Sequence, residues 1–425
     1  MDAHRTIEAI VRIESPKLIA RLVRLVRDVG LAEEAAQDAF VAALSSWPQT
    51  GIPDRPGAWL MGTAKHRAID ALRRSVRGRE KLEALGLALE LGRSAPDLDQ
   101  AIDEEVGDDL LRLVLTACHP ALPAEARVAL TLRLLGGLST AEIARSYLTS
   151  EATIAQRIVR AKRALAEAKL PYEVPRGADL SARLSSVLEV IYLIFNEGYS
   201  ASAGQDWMRP ELIEDALRLG RVLVGLVPRE PEAHALVALM ELQASRARAR
   251  LDAKGEPILL LDQDRSRWDR VLIGRGLAAL AQANALGGAE PGARDNPRAL
   301  RGPYALQAAI AACHARAFAA AETDWKAIAA LYLELAQVQP SPVVELNRAV
   351  AVGMAEGPAQ GLALVDELVG SGALEGYPLL PSVRADLLLK LGRAEEAKVE
   401  LGRAIQLTDN ARTRALLERR LAGLP

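Results

Sequence analysis

Side chains suited to holding a polyanion cluster at two places in the chain. Between residues 55 and 79, seven basic side chains (Arg55, Lys65, Arg67, Arg73, Arg74, Arg77 and Arg79) accompany one acid, Asp70. Two tryptophans, Trp47 and Trp59, frame a Pro/Gly-rich stretch beside them. Cations for a phosphate backbone next to aromatic faces for bases are what a single nucleic-acid strand requires. Taken singly, each tryptophan is more simply read as a core residue. The second place is residues 138–165. Ser139 or Thr140 reads as the cap of a short helix and Thr149 or Ser150 as the cap of a longer one, at the spacing of a helix-turn-helix. Ile154, Ile158, Ala161 and Leu165 form the apolar stripe of the longer helix. Thr153, Gln156, Arg157, Arg160 and Arg163 fall outside it. Small polar groups near such a helix's start reach base edges in a major groove, and a basic second half holds phosphates. Solvated charge explains a lone basic helix just as well, and the paired caps tip the reading towards DNA.

The elements that must carry these residues are helical. The chain has 425 residues, half of them apolar and a quarter charged, with only 4% aromatic. That composition belongs to a folded protein of several domains, rich in helix formers, and predicts an all-α fold. The net charge of −2 conceals local imbalance. Ile7, Ile10, Val11, Leu18, Ile19, Leu22, Val23 and Val26 recur at helical steps, a second helix runs over 32–44, and a third follows from Ala58. Residues 47–57, with three prolines and two glycines, read as a loop. Residues 81–108 carry eight acids and two bases, predicting an acidic linker over 78–108 that gives way to helix at Asp109. Pro171, Pro175 and Gly177 mark the next boundary. The expected organisation is therefore 1–77, 78–108, 109–170 and 171–425. In the last part, turns at Thr323-Asp324-Trp325, Gly357-Pro358-Ala359 and Gly392-Arg393-Ala394 recur 34 and 35 residues apart, the period of a tetratricopeptide-like helix pair. Residues 211–250 read as another pair.

Two cysteines 195 positions apart, Cys118 and Cys313, exclude a disulfide framework and leave no pair at metal-ligand spacing. The chain start has no signal-peptide pattern, and the most apolar run, 187–195, is too short to span a bilayer and contains Glu189. The expectation is a cytoplasmic protein without membrane contact. No phosphate loop, nucleophile–base pair or metal spacing is found in the C-terminal part, so no catalytic residue, cofactor or metal is expected.

In order and distance, these segments resemble the extracytoplasmic-function sigma factors of bacterial RNA polymerase. AEEAAQDAF (32–40) is similar to that family's polymerase-clamp helix in region 2. RPGAWLMGTAKHRAIDALRR (55–74) is similar to its promoter-melting and minus-10-reading segment, and 122–165 to region 4, which reads the minus-35 element. YLIFNEGYSAS (192–202) resembles the opening of a tetratricopeptide-like extension carried by one subgroup. The resemblance implies that Glu34, Gln37, Asp38 and Phe40 contact core polymerase, with clamp and flap as docking sites. It implies that Lys65, His66, Arg67, Asp70, Arg73 and Arg74 lie on or beside the non-template strand, with Trp47 and Trp59 around a loop that accepts a flipped base. Ser150, Glu151, Thr153, Gln156, Arg157, Arg160 and Arg163 would then meet minus-35 duplex DNA. Leu148 stands where the family usually has Gly, and His66 where many members have Asn. The implied activity is promoter recognition and melting for a polymerase that does the chemistry. The C-terminal domain is expected to regulate in cis or through a protein partner. A polymerase-independent helix-turn-helix regulator with a repeat sensor is the alternative. Residues 32–74 separate the two, because a plain operator binder has no use for a clamp signature. In the extension, Glu197, Tyr199, Asp206 and Trp207 could line a small pocket, although a helix end capped by Asn196 or Gly198 explains them more simply.

Overall fold

The computed structural model describes residues 3–74, 98–147, 149–168, 172–175, 177–200, 207–253, 255–287 and 301–424. Among these the regular elements are helices, as an all-α fold requires, and the chain divides into two compact units, Met1–Leu193 and Ile194–Pro425.

In the first unit, α1 (Ala3–Val26) packs against α2 (Val29–Thr50), α3 (Pro56–Arg74) and α4 (Leu98–Ala117). Asp28 starts α2 by accepting the Leu31 amide at 2.9 Å. Ala32, Ala35, Ala36, Ala39 and Ala43 make a buried stripe of small side chains that lets α1 approach closely. Two expectations need correction here. The supposed loop 47–57 shrinks to residues 51–55, because α2 continues through Trp47 and Pro48 to Thr50. Pro48 has no N–H to give the Leu44 carbonyl, a cost that the packing of α2 on α1 and α3 outweighs, and Gly51, at φ 84, supplies the stop. The hydroxyls of Ser45, Ser46 and Thr50 donate to the carbonyls of Val41, Ala42 and Ser46 at 2.9–3.0 Å. The acidic linker is shorter than expected as well: α4 begins at Leu98, so residues 98–108 are helical despite their acids, while 78–97 lie outside the described residues. Acids are welcome in the first turns of a helix, where its dipole is positive.

The helix-turn-helix follows as α5 (Ala124–Thr131), one wide π turn (Leu132–Gly136), α6 (Thr140–Ser146) and α7 (Glu151–Glu167). Prolines and glycine do interrupt the chain near 171–177, yet the compact units join later, inside α8 (Ala178–Tyr199). The Tyr172 hydroxyl lies 3.1 Å from the carbonyls of Ala20 and Asp109. Ser186 donates to the Cys118 carbonyl at 2.6 Å, and Arg127 reaches Glu189 at 2.8 Å. Breakers end a helix without deciding which core the next one joins.

The second unit contains the end of α8, then α9 (Pro210–Leu226), α10 (Pro231–Ala244), α11 (Arg270–Gly287) and α12 (Pro303–Arg316). The centre of α10, with Ala235, Leu236, Ala238 and Met240 fully buried, is packed by α9, α11 and α12. Three helix pairs complete the unit: α13 (Trp325–Val338) with α14 (Pro342–Ala355), α15 (Pro358–Ser371) with α16 (Leu379–Lys390), and α17 (Ala394–Leu407) with α18 (Ala411–Ala422). The first helix of each pair opens at one of the three recurring turns.

Gly198 is not the helix cap that the sequence suggested. The helix runs on to Tyr199, and the Gly198 carbonyl accepts the Arg209 amide at 2.7 Å. A Cβ at Gly198 would stand 2.8 Å from Ile213 N and from Leu212 Cβ. The glycine lets the start of α9 touch the α8 backbone. Gly198→Ala should therefore destabilise this unit by about 2 kcal/mol, lowering its urea midpoint. An unchanged midpoint would show that α9 can shift without cost.

His314, in α12, is buried edge-on to Trp325 with ring centroids 5.2 Å apart. Burial, helped by the nearby Arg246 and Arg265 guanidiniums, pushes it down to about 3. A base held neutral in the fold gives stability that is present above its unfolded pKa and lost as pH falls towards the folded value. Between pH 7 and 5 this one group should cost about 2 kcal/mol. Comparing thermal unfolding of wild type and His314→Gln at both pH values checks it: the variant should lose that part of the acid sensitivity.

Candidate nucleic-acid interface

The helix-turn-helix is built by its caps. Ser139 accepts the Glu142 amide at 3.2 Å while Glu142 accepts the Ser139 amide at 2.7 Å, a reciprocal box that starts α6. Ser150 starts α7 by accepting the Thr153 amide at 3.1 Å, and its hydroxyl lies 2.8 Å from that of Thr153. Thr140 donates to Glu151 at 2.8 Å, tying the two helix starts together. Leu148, in the turn, lies outside the described residues.

On α7 the expected stripe of Ile154, Ile158, Ala161 and Leu165 is buried. Ser150, Glu151, Gln156, Arg160 and Arg163 are exposed, and Thr153 and Arg157 are half-buried. Arg157 pairs with Glu125 of α5 at 2.6 Å and Arg163 with Glu167 at 2.6 Å. Both pairs lie at the surface, where an ion pair is worth little, so a phosphate can take either arginine's partner's place.

On α3, His66, Arg67 and Asp70 are exposed and Lys65 is half-buried. His66 Nδ1 sits 2.7 Å from the Gly62 carbonyl, which directs Nε2 away from the helix. Arg73 and Arg74 belong to the last turn of α3, and their side chains lie outside the described residues. The two tryptophans divide the work. Trp47 is only 2% exposed and meets the half-exposed Trp59 edge-on at 5.3 Å. Trp47 is therefore a core support rather than a stacking platform, and a base could reach only Trp59.

The residues marked for polymerase also divide. Glu34 and Asp38 are exposed on the outer face of α2, beside the 63% exposed Val41. Gln37 is half-buried and Phe40 buried, both lining a cavity of about 410 Å³ with Ser15, Arg133, Leu138 and Glu142. At its edge lies a constellation that sequence reasoning missed. Glu33 is buried and accepts from Arg133 Nε at 2.6 Å and from Gln37 at 2.6 Å, and Lys162 of α7 closes on its other oxygen. A carboxylate within an alanine stripe was the available signal, since such a group must find cations inside the fold.

Among the described residues no helix is long and apolar enough to cross a membrane, and no group of three His, Cys, Asp or Glu side chains could hold a metal ion.

Comparison with known proteins matches residues 10–78 to sigma-70 region 2, residues 112–165 to sigma-70 region 4, and residues 183–284 to a family of unknown function (DUF6596). The chain is 44% identical to an uncharacterized protein of Rhizobium meliloti over 96% of its own length and 93% of that protein's. It is 31% identical to the ECF RNA polymerase sigma factor SigK of Mycobacterium ulcerans over 34% of this chain and 75% of SigK. It is 28% identical to the probable ECF RNA polymerase sigma factor SigI of Mycobacterium tuberculosis over 41% of this chain, spanning 59% of SigI's length. No solved structure matches.

Proposed function

Because the chain belongs to the ECF RNA polymerase sigma factors, we propose that it docks on core polymerase through the outer face of α2, melts and reads a minus-10 element with α3, and reads a minus-35 element with α7. The observation that carries this reading is the pairing of two surfaces in one compact unit: an exposed polar and basic strip on α7 and a basic α3 led by Trp59. Duplex readout alone would need only the first.

In this reading residues 1–77 serve as region 2 and 109–170 as region 4, with a connector between them. Glu34 and Asp38 meet the clamp directly, and Gln37 and Phe40 become available when the contact through Glu33 opens. Lys65, His66 and Arg67 follow the non-template strand, with Arg73 and Arg74 behind them and Trp59 beside the flipped base. Thr153 and Gln156 face base edges, and Arg157, Arg160 and Arg163 hold phosphates. The protein supplies promoter choice in the cytoplasm and the polymerase supplies catalysis. The second compact unit regulates it in cis or by receiving a partner.

The test is run-off transcription by core polymerase and the full-length protein on fragments of the source genome. Specific transcripts that appear only when the protein is added establish the reading, and duplex binding without polymerase association would replace it with an operator-binding regulator. The regulatory part is tested by a chain ended at Ser200, which keeps Tyr172 and Ser186 against the first unit, where an end at 170 would strip them away. Unchanged activity would remove the second unit from the account.

A further inference from the structure

Three guanidiniums of the second unit alternate with aromatic rings. Arg250 lies 3.7 Å from the centroid of Tyr199 and 5.2 Å from that of Trp207. Arg246 lies 5.7 Å from the centroids of both Tyr199 and Trp268, and Arg265 5.0 Å from that of Trp268. Arg250 and Arg265 are only 8% and 3% exposed. Buried cations normally have carboxylates. Among the described residues none pairs with these three, because the neighbouring acids are committed elsewhere. Glu197 goes to Arg209 and Glu241 to Arg221 and Arg275, while Glu322, whose charge is felt by Arg265, gives its hydrogen bonds to the amides of Phe318 and Ala319. The cluster therefore carries three positive charges that the ring faces and the more distant Glu322 offset only in part.

Its donors are also unfinished. Arg265 gives its Nη groups to the carbonyls of His314 and Ala317 and to the Thr323 hydroxyl at 2.9–3.0 Å, yet its Nε has no partner. Arg246 Nε, Trp268 Nε1 and His314 Nδ1 are buried without partners in the same neighbourhood. A buried donor left unsatisfied forfeits its hydration without return. A cleft of about 600 Å³, lined by Arg248, Ser266, Arg267, Trp268, Asp269 and Arg270, meets the cluster at Trp268, the ring shared by Arg246 and Arg265. Its one acid, Asp269, already accepts the amides of Val271 and Leu272 at 2.9 and 3.1 Å. That volume suits a small molecule.

We propose that Arg246, Arg265 and Trp268 form a binding site for a small phosphate-bearing ligand that enters through this cleft. A carboxylate would balance one of the three charges, whereas a phosphate near neutral pH balances more and offers three acceptor oxygens to the waiting N–H donors. Phe318, 74% exposed and 5.0 Å from the Arg270 guanidinium, stands near the cleft as a face for an organic moiety. The site is independent of how the first unit meets polymerase or DNA.

The test is titration calorimetry of the full-length protein with inorganic phosphate and with adenosine 5′-monophosphate at constant ionic strength. Saturable one-site binding is expected, at least tenfold weaker in Trp268→Phe, which removes the Nε1 donor and shrinks the ring that Arg246 and Arg265 share, and in Arg246→Gln. Circular dichroism confirms that both variants fold. Tighter binding of the nucleotide would identify an organic phosphate as the ligand, and equal binding would identify free phosphate. No saturable binding, or binding that both folded variants retain, overturns the proposal. The second outcome would place the anion on the basic helices α3 and α7 instead.

Discussion

Replacing Gln156 and Arg160 together by alanine should lower run-off transcription from a minus-35-dependent promoter roughly 100-fold, while co-purification with core polymerase stays unchanged. Both side chains are exposed on the same side of α7, one turn apart, and neither contributes to the buried stripe. A base-edge contact is worth about 1–3 kcal/mol of discrimination, and a phosphate contact adds affinity of similar order. Because the pair supports no packing, the unfolding midpoint should not move. Raising the salt concentration should weaken the wild type more steeply than the variant, since one phosphate contact fewer releases fewer counterions. Equal transcription by variant and wild type would assign readout to another surface.

Glu33→Ala should destabilise the first unit by about 3 kcal/mol, because it breaks a largely buried ion pair and leaves two half-buried cations without their carboxylate. The carboxylate side chain is 5% exposed, while Arg133 and Lys162 are 24% and 22% exposed. Arg133→Ala and Lys162→Ala should each cost less, because either change leaves Glu33 with the other cation. Urea unfolding of the three single variants and the Arg133/Lys162 double variant measures this directly. If Glu33→Ala lost less than about 1 kcal/mol, the contact would be solvent-screened and of no structural weight. The same substitution should speed exchange of the α7 amides, because α7 is tied to α2 at this point.

Local, periodic features were legible in the sequence and non-local ones were not. The α7 stripe, the caps at Ser139 and Ser150 and the three late helix-pair turns all depend on neighbours within a few residues, and each stands where spacing placed it. Pro48 and the acids of 98–108 were misread because local composition was weighed without the packing against α1 that holds both segments helical. The exposure of Gln156 and Arg160 followed from the stripe, yet the burial of Trp47 could not, since it depends on packing between α2 and α3. Glu33 meets Arg133 and Lys162 across about a hundred residues, and Tyr199, Arg246, Trp268 and His314 come from four separate segments. No spacing rule joins such groups. Gly198 was visible as a glycine, but its purpose lies in a backbone fifteen residues on.

The Glu33 contact also limits how freely the segments matched to sigma-70 regions 2 and 4 can be exchanged between relatives. A graft of residues 109–170 onto a region 2 whose second helix has an alanine at the place of Glu33 would bring in Arg133 and Lys162 with no acid to receive them. The reverse graft would bury a carboxylate against a surface without cations. Either hybrid would carry an intact promoter-reading helix and still fold poorly. Under the proposed function, promoter specificity would be transferable as a matched set of three charges, with α7 as only part of the unit that moves.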